Sequence, residues 1–122
     1  MNALGQIAGE YVDSNNHYRG YLRETDGTII TFDTPDAGTG SFAGTLPGGI
    51  NDAGQIAGYY YDGHSVAHGF IRDPDGTIVE FDHPNAGTKQ GEGTFVYGIS
   101  NTKVVVGLYY DSSDFFHAYK RQ

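Results

Sequence analysis

His68 and His117 lie 49 residues apart and open the same short motif, His68-Gly69-Phe70 and His117-Ala118-Tyr119. Imidazole titrates near neutral pH, so it serves as a general base or a metal ligand. Two such groups in equivalent positions could line a shared channel. One period earlier, however, the slot holds Arg19, in Arg19-Gly20-Tyr21. An arginine there breaks an all-histidine metal ring. It suits a polar packing role, in which each side chain bonds a neighbouring backbone carbonyl and fixes the start of a strand. His17, His64 and His83 do not repeat with one another. A zinc site needs three or four converging ligands, and no short His/Asp spacing supplies them.

The carboxylates recur as well. Asp33 and Asp82 sit in the matching segments FDTP and FDHP. A pair of carboxylates at the right separation can hydrolyse a glycosidic bond. A single Asp at a strand end before x-Pro reads more simply as a turn cap. Asp13, Asp62 and Asp111 close another strand in every copy, with Asn15, Asn16 and Asp114 nearby. Calcium would accept such oxygen ligands, but DSNNH lacks the alternating ligands and glycine of an EF-hand loop. The expectation is a hairpin loop without an ion, and no cofactor. No Gly-x-Ser-x-Gly elbow or triad spacing is present. The glycine-rich segment Gly38–Thr45 has no helix after it to cradle a phosphate. The linkers Gly38–Thr45 and Gly87–Thr94 differ between copies, Lys89 and Glu92 being peculiar to the second, and variable loops on a repeated frame are where specificity sits.

Tyrosine is the most informative surface residue. Tyr59, Tyr60 and Tyr61 are consecutive, and Tyr109-Tyr110 repeats part of that run. In a strand, Tyr59 and Tyr61 point away from Tyr60. One set belongs to a core, and the other is exposed or at an interface. Tyrosine suits both oligomer interfaces and sugar-stacking platforms, since it has an apolar face and a polar tip.

These residues recur because the chain is a repeat. Asn51–Thr88 is a gapless second copy of Asn2–Thr39, and a partial third copy runs from Asn101 to Arg121. A period of this size is one supersecondary unit stacked on its neighbours. The 122 residues form a single repeat domain: a partial repeat over 1–44, a full repeat over 45–93 and a partial repeat over 94–122.

Each full copy divides into four strands. Strand one is Thr45–Asn51 and, one period on, Thr94–Asn101. Strand two is Gln55–Asp62 and strand three Ala67–Asp73. Strand four is Thr77–Asp82, with Thr28–Asp33 as its first-copy equivalent. Asp26-Gly27 and Asp75-Gly76 make tight hairpin turns with positive φ at both central positions. Thr77, Val79 and Phe81 share one face of strand four, and Ile78, Glu80 and Asp82 the other. In strand two, Ile56, Gly58 and Tyr60 are taken as the buried face. The recurring mid-strand glycines Gly9, Gly58 and Gly107 signal a close backbone approach, as at the crowded centre of a propeller.

Composition fits this reading. Nineteen glycines and ten tyrosines suit short strands and tight turns. The net charge of −8 repels phosphate backbones, which argues against nucleic acid. The absence of cysteine excludes disulfides and thiolate chemistry. No apolar run is long enough to span a membrane. No signal peptide precedes the repeat, and the chain starts inside a copy, as expected of a piece cut from something longer or of a chain whose leader has been removed.

A four-stranded antiparallel repeat of this length is the mark of a β-propeller blade. The expected fold is therefore all-β, with propeller-like blades. Two and a half units do not close a ring, so the expectation includes self-association, a dimer first: a six-bladed ring from two chains, or a five-bladed ring with shared blades. The alternative is an open bent sheet or a β-sandwich. The segments GINDAGQIAG, AHGF and DGTIVEFD resemble the bacterial extracellular HAF repeats. The likeness covers nearly the whole chain, with departures at Arg19 and at Lys103–Val106. It implies an exported or cell-surface repeat protein and brings no catalytic residues.

The function expected is a non-enzymatic module for binding or scaffolding, with itself and carbohydrate as partners. The candidate ligand-binding residues are Tyr59, Tyr61, His68, Tyr109, His117 and Arg19; no catalytic or metal residue is assigned. Two alternatives stand beside this: a hydrolase or lyase with a His/Asp site at a subunit interface, and an excised or engineered propeller fragment without a function of its own.

Overall fold

The computed structural model describes residues 1–121. Those residues hold ten strands and no helix: β1 (Ile7–Val12), β2 (Tyr18–Arg23), β3 (Ile29–Phe32), β4 (Gly44–Ile50), β5 (Ile56–Tyr61), β6 (Ala67–Arg72), β7 (Ile78–Phe81), β8 (Gly93–Ile99), β9 (Val105–Tyr110) and β10 (Phe116–Arg121). All ten belong to one open sheet, antiparallel except at two junctions. The period divides it into a first unit (β1–β3), a second (β4–β7) and a third (β8–β10). Each junction is a single parallel bridge, Tyr18 to Gly44 and Ala67 to Gly93. The architecture is thus all-β, in the form of the open-sheet alternative.

Local chemistry sets the strands and turns. Strand ends lie within a residue or two of the expected bounds. The Asp-Gly turns differ from expectation: Gly27 and Gly76 have φ of 92° and 93°, while Asp26 and Asp75 do not have positive φ. Gly76 N donates to Asp73 O, and Asp73 N donates to Thr77 O. This is a three-residue hairpin loop, a type I turn followed by one left-handed residue. The aspartate stabilises it as an acceptor, since Asp75 Oδ1 takes Thr77 N at 2.9 Å.

At Gly58 and Gly107 the backbone does approach closely, but the approach comes from within the unit rather than from a crowded centre. Strand one carries a bulge in both copies, at Pro47–Gly49 and Val96–Gly98. A Cβ on Gly58 would meet Leu46 O, and one on Gly107 would meet Phe95 O. These glycines make room for the bulged neighbour in their own unit. The crowding between units falls elsewhere, at Gly48, whose Cβ would meet Val96 O at 2.7 Å.

The core lies between units rather than within them. Each unit has a rear face toward the preceding copy and a front face toward the next. Leu22, Ala8 and Phe32 on the first unit's front face pack on Ile56, Tyr60, Phe70 and Ile78 of the second unit's rear face. Ala57, Ile71 and Phe81 on the second unit's front face pack on Val96, Val105 and Ile99 of the third. Both faces of strand two are therefore buried in the middle unit, where the alternation alone marks one. An arginine closes each seam: Arg72 lies 4.9 Å from the Phe32 ring centre, and Arg121 lies 4.5 Å from that of Phe81.

A polar ladder runs along the same stack. Asn51 Oδ1 accepts Ala53 N and Gln55 N within its turn, and its Nδ2 donates to Ser100 O, 49 residues on. Asn2 Nδ2 donates to Asn51 O in the same way. The third copy is thus in register from Ser100, not from Asn101. The Ser100 hydroxyl accepts Val104 N, as Asn51 accepts Gln55 N.

Candidate functional site

The recurring His, Arg and Asp residues form one bridge per unit. Asp62 ends β5 and turns its Oδ1 into the following loop, accepting His64 N at 2.8 Å and Val66 N at 3.1 Å. Its Oδ2 lies 2.8 Å from His68 Nε2, while His68 Nδ1 lies 2.7 Å from Asp82 Oδ1. In the first unit, Arg19 makes the same two contacts, to Asp13 Oδ2 at 2.8 Å and Asp33 Oδ2 at 2.6 Å. In the third unit, His117 Nε2 meets Asp111 Oδ2 at 2.8 Å. In the first two units the slot holds a cation that reaches two carboxylates, so arginine and histidine exchange there, whereas His117 has Asp111 as its one carboxylate partner among the described residues.

Two simpler readings of these residues need correction. His68 bonds carboxylates and not a backbone carbonyl. Asp33 and Asp82 bind the cation across strands three and four, so they are not turn caps. Asp13, Asp62 and Asp111 do cap their loops, and each spends its second oxygen on the bridge. Among the described residues no group of three or more His, Asp or Glu side chains is placed to hold a metal ion.

The electrostatics follow from this geometry. Hydrogen bonding to Asp82, reinforced by Asp62, pushes the His68 imidazole up to about 9 against the opposing effect of burial. Only the doubly protonated ring can donate to both carboxylates. Its side with Tyr60 is covered as well, the rings stacking at 5.1 Å and 29°. The Tyr60 hydroxyl donates to Glu80 Oε2 at 3.0 Å, and burial followed by this acidic partner raises the phenol well above its ordinary range. At neutral pH His68 is an imidazolium with both N–H groups engaged. It has no lone pair to act as a base.

The tyrosine run separates as strand alternation requires. Tyr60 is core, and Tyr59 and Tyr61 turn to the front face. Tyr109 is equivalent to Tyr60; it stacks on His117 at 4.8 Å and on His83 at 3.9 Å. Tyr109, His68, His117 and Arg19 therefore belong to the bridges, apart from Tyr59 and Tyr61. The latter two join Phe95, Tyr97, Tyr110 and Phe116 around an open cleft of about 250 Å³ at the second seam. Tyr59 meets Phe95 edge-on at 5.0 Å and Tyr97 at 6.0 Å; Tyr110 lies on Phe116 at 3.5 Å. Tyr97 is 53% exposed and Phe116 58%. No charged side chain lines this cleft among the described residues. Burial raises the phenols of Tyr59, Tyr61 and Tyr97, so they stay neutral hydroxyl groups at physiological pH.

Phe95, Tyr97 and Phe116 escaped the reading of matched motifs, whereas Tyr110 belongs to the repeated tyrosine run. The signal that finds them is departure from the repeat. One period earlier, Tyr59, Tyr61, Phe95 and Tyr97 are Glu10, Val12, Leu46 and Gly48, and Phe116 is Ala67. Of the six rings only Tyr110 has an aromatic equivalent at the first seam, Tyr61, so stacking does not require the other five.

No family model, no curated protein and no solved structure matches the chain. Among the described residues no helix is long and apolar enough to cross a membrane.

Proposed function

We propose that the protein is a non-enzymatic repeat module for binding and scaffolding, built of propeller-like blades that self-associate, with neutral carbohydrate as its ligand. The observation that carries the reading is the aromatic cleft that only the second seam possesses. An uncharged wall of tyrosine and phenylalanine offers ring faces to the C–H face of a sugar and hydroxyls to its O–H groups. Residues that break a repeat without serving the stack are the ones free to carry a specific task. The acidic surface argues against an anionic ligand. The likeness to HAF repeats supports a place outside a bacterial cell.

A hydrolase or lyase built on the His/Asp groups finds less support, because those groups are spent on each other and His68 is held protonated. The test is direct. The chain has no tryptophan and four of its ten tyrosines, Tyr59, Tyr61, Tyr97 and Tyr110, line the cleft, so tyrosine emission responds to a ligand bound there. Titration with maltotriose, cellotriose and chitotriose should give a saturable change with at least one, abolished by Tyr97→Ala in a protein that melts normally. No saturable change with any of the three up to millimolar concentration sinks the carbohydrate reading.

A further inference from the structure

We propose that the two ends of the stack mate head to tail, the front face of the third unit in one chain seating on the rear face of the first unit in a second copy. The inference rests on the scaffold reading and supplies its contact surface. The chain already contains this interface twice. Ala8 packs in the cluster of Ile56, and Ala57 in the cluster of Val105. Both pairs join a front-face residue to a rear-face residue 48 positions later. Continued by one period, the front-face position is Val106, and the rear-face equivalent of Ile56 and Val105 is Ile7. Val106 is 48% exposed.

The rest of the rear face agrees. Tyr60, Phe70, Arg72 and Ile78 of the second unit correspond to Tyr11, Tyr21, Arg23 and Ile29 of the first. The former pack against the preceding unit. The latter line an open apolar hollow of about 320 Å³, and Ile29 is 61% exposed where Ile78 is half-buried. On the front face, Lys120 takes the position of Leu22 and Ile71 and would lie over the Tyr21 ring, a favourable cation–π pairing. The two surfaces differ, so the contact is heterologous: it closes a ring or continues as a chain. It is also weaker than the internal seams. Asn51 supplies a side-chain rung to the next unit, whereas Ser100 has its hydroxyl on Thr102 and Val104 N.

Two charge substitutions separate the faces without breaking the strands. Ile29 is paired directly with Arg23, and Val106 with Lys120. Ile29→Glu and Val106→Glu each place a carboxylate opposite a cation, which favours the strand pair while putting charge on an apolar contact. Light scattering across a dilution series should give the unaltered chain at least twice its 13.2 kDa mass at high concentration. Each variant alone should be monomeric with unchanged circular dichroism and melting. Mixed at high concentration, they should form a one-to-one pair that grows no further, because one intact face of each kind remains. A monomeric unaltered chain, a single variant that keeps the full mass, or a mixture that stays monomeric overturns the proposal. The sugar titration is scored on the same samples, so loss of association with sugar binding retained removes this interface and leaves the binding module standing.

Discussion

Replacing His68 by arginine should remove a pH dependence of stability without lowering stability itself. The folded state holds His68 protonated between Asp62 and Asp82, with its titration pushed up to about 9 from an ordinary 6.5. The raised value fixes the sign. The contribution is whole below about pH 6.5 and is lost as pH rises through about 9. A full shift of that size corresponds to about 3 kcal/mol. Asp82 is 53% exposed, so solvent screening reduces the expected loss to about 1–2 kcal/mol. Urea unfolding from pH 6 to pH 9.5 measures it, as a midpoint that falls across that window. In His68→Arg the guanidinium stays charged throughout and has the Arg19 geometry to follow, so the fall should vanish. An unaltered protein with a flat profile, or a His68→Arg variant with the same slope, refutes the bridge as the source.

Two further predictions concern the frame itself. Lys103 has φ of 64° where the equivalent turns carry Gly5 and Gly54, so Lys103→Gly should relieve left-handed strain and raise stability by about 0.5–1 kcal/mol in chemical denaturation. Gly58→Ala drives a methyl group against Leu46 O and Pro47 Cα; it should cost about 2 kcal/mol or more, read as a lowered melting temperature, whereas Gly63→Ala, with open space around it, should cost little.

The sequence by itself determined the unit: its period, its strands and its turn positions. These are local matters. Alternation of side chains, a glycine able to hold positive φ and an aspartate able to accept the turn N–H act within a few residues, and each copy repeats them. The recurrence of the His/Arg slot and of the Asp positions was also legible, though not what they touch. Asp82 meets His68 across a strand pair 14 positions away, and Asn51 meets Ser100 across a whole unit. Only the tertiary stack decided those partners. It also decided that both faces of β5 are buried, because burial belongs to the seam between units and not to a strand's own pattern. The aromatic cleft depends on the stack in the same way. Tyr59 and Tyr61 come from one unit and Phe95, Tyr97, Tyr110 and Phe116 from the next, and only their packing against each other turns six scattered rings into a wall.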